Sequence, residues 1–307
     1  MVVAAGKTIK KNNVIAKGEE MSKTRIISIT VLLVGAIILT ACGSQQDSGI
    51  PTYDCLGSAD EALVDIECRE ITVAVENAYL PWNYIHTETK QAAGWDYEVI
   101  PEICERLHCQ PVFVEVSWDV MIQSVADGLY GMAGDGITIN DERDEIVDFS
   151  NGYMNIEQRL LVRLGEDRFT SIEEFAENPD LVMGTQTATT NYDTAVEYLS
   201  EDRISAFEQF PFAIQALISG DVDAVIIDGV SGLGYQGENA DELDLIGPSI
   251  SSDELGFVFA NGSDLVDPFN TALAAMEADG FMEDVNTRYF INFSVTYDDI
   301  EDVTYDD

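Results

Sequence analysis

Ile71-Thr-Val-Ala-Val75 alternates in the manner of a strand, and a different period follows it. Tyr97, Ile100, Ile103, Cys104 and Leu107 recur at helical spacing, which predicts a helix over 97–107. Pro111-Val-Phe-Val-Glu-Val116 returns to strand character. A helix over 120–127 stops at Gly128, and 157–164 reads as a strand leaving the first unit. Thr170-Ser-Ile-Glu-Glu-Phe opens a helix, and a second series follows: strand 181–185, helix 191–199, a strand around 207–210, helix 212–219 and strand 224–227. Strand 255–260 and helices 266–279 and 282–290 complete the pattern. Strands alternating with helices predict an α/β fold, and 307 residues leave room for two lobes.

One stretch carries more chemistry than the rest. Gly136-Ile-Thr-Ile-Asn-Asp-Glu-Arg143 reads as a strand end, a capped turn and a helix start, with Asn140 as the N-cap. Asp141 and Glu142 suit the first turn of a helix, whereas Arg143 puts a cation at the positive end of the dipole. Either Arg143 pairs locally with Asp141, Glu142 or Asp144, or it holds a carboxylate beside free backbone N–H groups.

The N-terminus indicates the compartment. Met21-Ser-Lys-Thr-Arg25 is basic, 26–39 is apolar, and Thr40-Ala-Cys-Gly-Ser44 is small. That order forms an export signal over 1–41, with Met21 as a second start, and the apolar run is shorter than the roughly 20 residues of a membrane span. Leu39-Thr-Ala-Cys42 resembles the bacterial lipobox, which implies lipidation of Cys42. The polar, turn-rich residues from Gly43 to about Gly57 read as a tether, and 42–67 is assigned to it. Residues 297–307 form an acidic tail.

A net charge of −42 repels nucleic acid and anionic lipid. Two histidines without a Cys-x-x-Cys argue against zinc, and no Asp-x-Asp-x-Asp-Gly loop supports calcium. Apart from Lys90, every lysine precedes Cys42, and such an acidic exported surface fits adaptation to a salty medium. Four cysteines remain beyond Cys42 and allow three pairings. Cys55–Cys68 and Cys104–Cys109 are the local ones, with buried free thiols as the alternative. Cys104–Cys109 requires the helix to end near His108.

Several segments together resemble one family: Val75-Glu-Asn-Ala-Tyr-Leu-Pro-Trp82, Ala93-Gly-Trp-Asp-Tyr97, Gly136 to Arg143, Asp148-Phe-Ser-Asn-Gly-Tyr153, Thr187-Ala-Thr-Thr-Asn-Tyr192 and Gly220-Asp-Val-Asp-Ala-Val-Ile-Ile-Asp228. In this order they are similar to family 3 of the bacterial extracellular solute-binding proteins, over roughly 70–292. The resemblance implies a periplasmic-binding-protein-like α/β fold. Lobe 1 (68–155 and 256–296) and lobe 2 (156–255) are joined by two hinge strands and close on a ligand in the cleft. It implies a monomeric receptor without a cofactor. This receptor would bind a free amino acid, deliver it to an ABC transporter permease, and be anchored outside the membrane or in the periplasm through Cys42.

By motif position, Arg143 matches the arginine that grips the α-carboxylate, and Asp228 the acid that takes the α-ammonium. Gly136, Thr138 and Thr190 match further carboxylate donors, and Gln186 lies near the side-chain end. Tyr79 and Trp118 match aromatics that sandwich the side chain, Glu76 reaches its tip, and Asp135 is a second anion or a solvated loop carboxylate. Trp82 reads as packing. Glu76 and Asp135 favour arginine, lysine or ornithine over glutamine. Two departures stand out: Gly131 replaces an aspartate, and Ala188 a glycine. An arogenate or cyclohexadienyl dehydratase on the same scaffold is the rival enzyme reading, with Glu76 as general acid. A ligand-sensing ectodomain signalling through a separate protein is the third.

Overall fold

The computed structural model describes residues 49–237 and 241–292. The leader, Cys42, the first residues of the expected tether and the tail 297–307 lie outside the described residues.

The first half of the chain contains β1 (Arg69–Val75), β2 (Ala78–Tyr79), β3 (Asn83–Ile85), β4 (Ala92–Ala93), α1 (Asp96–Leu107), β5 (Cys109–Glu115), α2 (Trp118–Ala126), β6 (Met132–Ala133), α3 (Asp141–Asp144) and β7 (Val147–Phe149). The second half contains β8 (Met154–Arg163), α4 (Ile172–Glu177), β9 (Met183–Gln186), α5 (Thr190–Tyr198), β10 (Ile204–Phe207), α6 (Phe210–Ser219), β11 (Ala224–Asp228), α7 (Gly229–Gln236), β12 (Leu243–Leu255), β13 (Val258–Ala260), α8 (Val266–Asp279) and α9 (Phe281–Asn286).

Two five-stranded sheets result, one in each lobe, ordered β5-β1-β6-β13-β7 and β10-β9-β11-β8-β12. β1 is parallel to both β5 and β6, and Val73, Ala74 and Val75 are fully buried, as a central parallel strand requires. In the second sheet β9, β10 and β11 run parallel, while β8 and β12 run antiparallel to each other and carry the chain between the sheets. The lower ends of these two strands pair Met154 with Leu255, beside the first sheet.

The helical stripe from Tyr97 to Leu107 is buried along α1. The helix stops where His108 turns left-handed, at φ 54°, with its N–H bonded to the Cys104 carbonyl. That reversal brings Cys109 to 4.6 Å from Cys104, Cα to Cα, and the two are bridged. Cys55 is bridged to Cys68. The aromatic core of the first lobe gathers Trp82, fully buried, against Trp95, Tyr153 and Phe290, so Trp82 packs as expected.

Three expectations change. Residues 49–67 do not form a free tether. Gly49 O accepts from Ala92 N at 2.8 Å, Leu56 N donates to Cys109 O at 2.9 Å, and the Tyr53 ring lies 6.1 Å from Phe113. The Cys55–Cys68 bridge pins this polar segment to the first lobe. The strand expected around 207–210 is displaced to 204–207, because Phe210 and Pro211 already open α6. β12, a strand of 13 residues, went unrecognised in the sequence. It is an edge strand broken by Gly247-Pro248, with its register shifting between Ile246 and Ser251, so neither alternation nor apolar content marks it. The helix expected over 282–290 divides into α9 and a π-type turn over Thr287–Ile291.

Candidate functional site

The capped turn is built as the sequence suggests. Asn140 is extended, and its Oδ1 accepts the Arg143 N–H at 2.9 Å, opening the four-residue α3. The Arg143 side chain is half-buried and avoids its acidic neighbours. Its Nη1 donates to the Thr138 carbonyl at 2.9 Å, and its guanidinium carbon lies 5.4 Å from the centre of the Trp118 ring. Among the described residues no carboxylate comes within salt-bridge distance of it, so local pairing with Asp141, Glu142 or Asp144 is not what the structure contains. Burial lowers its pKa, opposed by the more distant charges of Asp193, Asp253 and Asp228.

Asp228 ends β11 at the carboxyl edge of the second sheet, the edge at which α/β sheets place ligands. Its Oδ2 accepts from the Tyr79 hydroxyl at 2.5 Å and its Oδ1 from Asn191 Nδ2 at 3.1 Å. Burial pushes its pKa up to about 6, while these two hydrogen bonds oppose the rise. Thr189 caps α5 beside it, accepting the Tyr192 N–H and donating to the Gln186 carbonyl. Ala188, where the family pattern has glycine, takes φ 57°. Its carbonyl accepts from Trp118 Nε1 of the first lobe at 3.1 Å.

Further contacts cross between lobes. Gln186 Nε2 donates to Glu76 Oε1 at 2.8 Å, the Thr138 and Thr190 hydroxyls lie 3.4 Å apart, and the Tyr79 ring stacks on Phe210 at 5.1 Å. The lobes meet around a cavity lined by residues of both.

At one end of the cavity, Glu76 and Asp135 are each 1% exposed. The reading of Asp135 as a solvated loop carboxylate is therefore incorrect. Asn83 Nδ2 donates to Asp135 Oδ1 at 2.6 Å and to Asp96 Oδ2 at 2.9 Å. Burial, followed by the charge of Asp135, raises Glu76 well above the carboxylate range, and burial brings Asp135 to about 7. Gly136 follows with φ 57°, and a Cβ there would press on the Trp82 indole at 3.0 Å, so glycine suits the turn.

All ten candidate positions line this cavity: Glu76, Tyr79, Trp118, Asp135, Gly136, Thr138, Arg143, Gln186, Thr190 and Asp228. Thr189, Asn191 and Phe210 line it too, and sequence reasoning missed them. Thr189 and Asn191 flank Thr190 in the α5 cap, a signal that was available. Nothing local marks Phe210, whose role arises from its stack on Tyr79.

The model of the bacterial extracellular solute-binding proteins, family 3, matches residues 71–292. The chain belongs to this family. Among curated relatives, this family 3 protein is 25% identical to the L-cystine-binding protein TcyJ of Escherichia coli over 239 residues, covering 76% of the chain and 87% of the relative. Among solved structures, an ancestral arginine-binding protein bound to arginine is 26% identical, with TM-score 0.67, covering 72% of this chain and 98% of that one. The ancestral amino acid-binding protein AncCDT-1, a precursor of cyclohexadienyl dehydratase, is 27% identical, with TM-score 0.67, covering 72% and 95%.

Proposed function

We propose that this family 3 solute-binding protein is an exported receptor that binds a free α-amino acid by closure of lobes 68–155 with 256–296 and 156–255 about β8 and β12. It delivers the ligand to an ABC importer permease, acts as a monomer without a cofactor, and is held at the membrane by lipid on Cys42. The observation that carries this reading is the pairing of opposite charges across the cavity. Arg143, paired with no carboxylate of the described residues, faces it from the first lobe, and buried Asp228 from the second. A zwitterion supplies the missing partner to each. In this reading Arg143, Thr138, Gly136 and Thr190 take the α-carboxylate, and Asp228, held by Tyr79 and Asn191, takes the α-ammonium.

Glu76, Asp135 and Gln186 form the far end, with Tyr79 and Trp118 along the walls. Two buried acids favour a basic side chain, with arginine, lysine or ornithine first and glutamine second. Calorimetry across the twenty amino acids, ornithine and cystine tests both levels. Binding of none of them removes the receptor reading, and tight glutamate binding without arginine or lysine removes the basic side chain.

One observation favours a second reading. Glu76 is a buried carboxyl whose pKa is raised by burial, which suits a general acid, and a structural neighbour is a dehydratase precursor. Incubation with arogenate and prephenate decides: the receptor reading predicts no turnover, and phenylalanine or phenylpyruvate formation would replace it.

A further inference from the structure

We propose that the cavity exchanges a proton for a cationic side chain. Glu76, Asp135 and Asp96 form one buried acid cluster that stays partly protonated without a cation and releases a proton to solvent when one enters. This rests on the amino-acid-receptor reading and adds to it the charge state of the far end.

Glu76 after β1 and Asp135 in the loop after β6 line that end, Asp96 at the start of α1 lies behind Asp135, and none is more than 1% exposed. Asn83 links two of them by donating to both Asp96 and Asp135. The other oxygens, Asp96 Oδ1 and Asp135 Oδ2, are buried and accept no hydrogen bond from the described residues. Two ionised oxygens left without donors at such depth cost far more than a proton.

Hydrogen bonds from Asn83, Gln186 and the Glu76 and Trp118 backbone N–H groups favour the ionised forms, but burial outweighs them and the neighbouring charges are negative. Asp119 on α2 adds negative charge near Glu76, and the phenols of Tyr97 and Tyr153 face Asp96 and Asp135. Tyr97 gives its hydroxyl hydrogen to Asn77, which in turn bonds Glu115 on β5. Across the cleft Gln186 offers a neutral donor to Glu76, and Asp228 is a further acid. Among the described residues Arg143 is the only basic one lining the cavity, and it lies against Trp118 and the Thr138 carbonyl. Burial correspondingly holds Asp135 at about 7, and Asp96 and Glu76 well above the usual range.

A guanidinium or ammonium entering this end brings a positive charge and a donor to Asp135, whose Oδ2 accepts no hydrogen bond from the described residues. The O–H bond of one acid breaks, its electron pair stays on the carboxylate, and the proton leaves to bulk water. A neutral amide needs no such exchange, because it accepts from the carboxylic acid as it stands.

The test is calorimetry of the full exported chain with arginine at pH 7 in phosphate and in Tris, whose ionisation enthalpies differ. With Asp135 near 7, arginine should release about half a proton. Asp228, near 6, accounts for only roughly a tenth. Arginine affinity should also rise about tenfold per pH unit between 5 and 7 for each proton released. Glutamine, where it binds, should stay below a fifth of a proton, and Asp135→Asn should lower the arginine count. Arginine binding with less than a fifth of a proton released overturns the inference alone. Failure of arginine, lysine and ornithine to bind overturns it together with the cationic reading.

Discussion

Tyr79 of the first lobe donates a 2.5 Å hydrogen bond to Asp228 of the second. The bond joins the two lobes, and in the proposed receptor the rest of this buried carboxylate, shared with Asn191, takes the ammonium. Tyr79→Phe keeps the ring stacked on Phe210 and removes only the donor. A hydrogen bond to a charged group is worth about 1.5–3 kcal/mol, so amino-acid affinity should fall roughly ten- to hundredfold by calorimetry. Unchanged affinity would mean that Asp228 does not depend on Tyr79.

Arg143 presents a planar fork, and the proposed partner is a planar carboxylate. Arg143→Lys keeps the charge and loses the paired geometry, so binding should weaken at least about tenfold. Circular dichroism should show an unaltered fold, since α3 takes its cap from the Arg143 backbone N–H and not its side chain. Wild-type affinity in this variant would argue that the guanidinium merely packs on Trp118.

In the ligand-free protein Asp135 and Asp228 have pKa values of about 7 and about 6, above the 3.8 of an exposed aspartate. The folded state therefore keeps protons that the unfolded chain has released. Their contribution to stability is full below about pH 4 and is lost as pH rises through 6 and 7. Asp135→Asn lacks the Asp135 share. The unfolding free energy of the variant relative to wild type should therefore move in the variant's favour from pH 5 to pH 8, by up to roughly 1.4 kcal/mol per unit crossed, seen as a rising relative Tm. A difference constant with pH would place the ionisable group elsewhere.

With a net charge of −42, the folded surface repels itself. Added NaCl screens that repulsion, since the screening length shrinks from about 10 Å at 0.1 M to about 3 Å at 1 M. Thermal unfolding followed in increasing NaCl should shift to higher temperature. A flat or falling Tm would remove the case for adaptation to salt.

How much could be read in advance depended on how local each signal was. Asn140 capping Arg143, the α1 stripe and the turn at His108 are decided within a few residues, and the sequence shows them. The cavity-lining set was legible because six short segments occur in a recognisable order, which places Glu76 and Asp228 together although 152 positions separate them. β12 was hidden because an edge strand tolerates Gly247-Pro248 and polar side chains. The docking of 49–67 was hidden because its polar composition resembles a linker, and only the Cys55–Cys68 bridge and the Tyr53 contact on Phe113 reveal otherwise. Phe210 and Asn191 join the site through cross-lobe and cap contacts that no periodicity encodes.

A crystal structure grown with arginine tests the zwitterion clamp most directly. The account predicts density enclosed by Tyr79 and Trp118, with the α-carboxylate on Arg143, the α-ammonium on Asp228 and the guanidinium against Glu76 and Asp135. Arginine bound in the reverse sense, with its guanidinium at Asp228, or an amino acid seated outside this cavity, would contradict it.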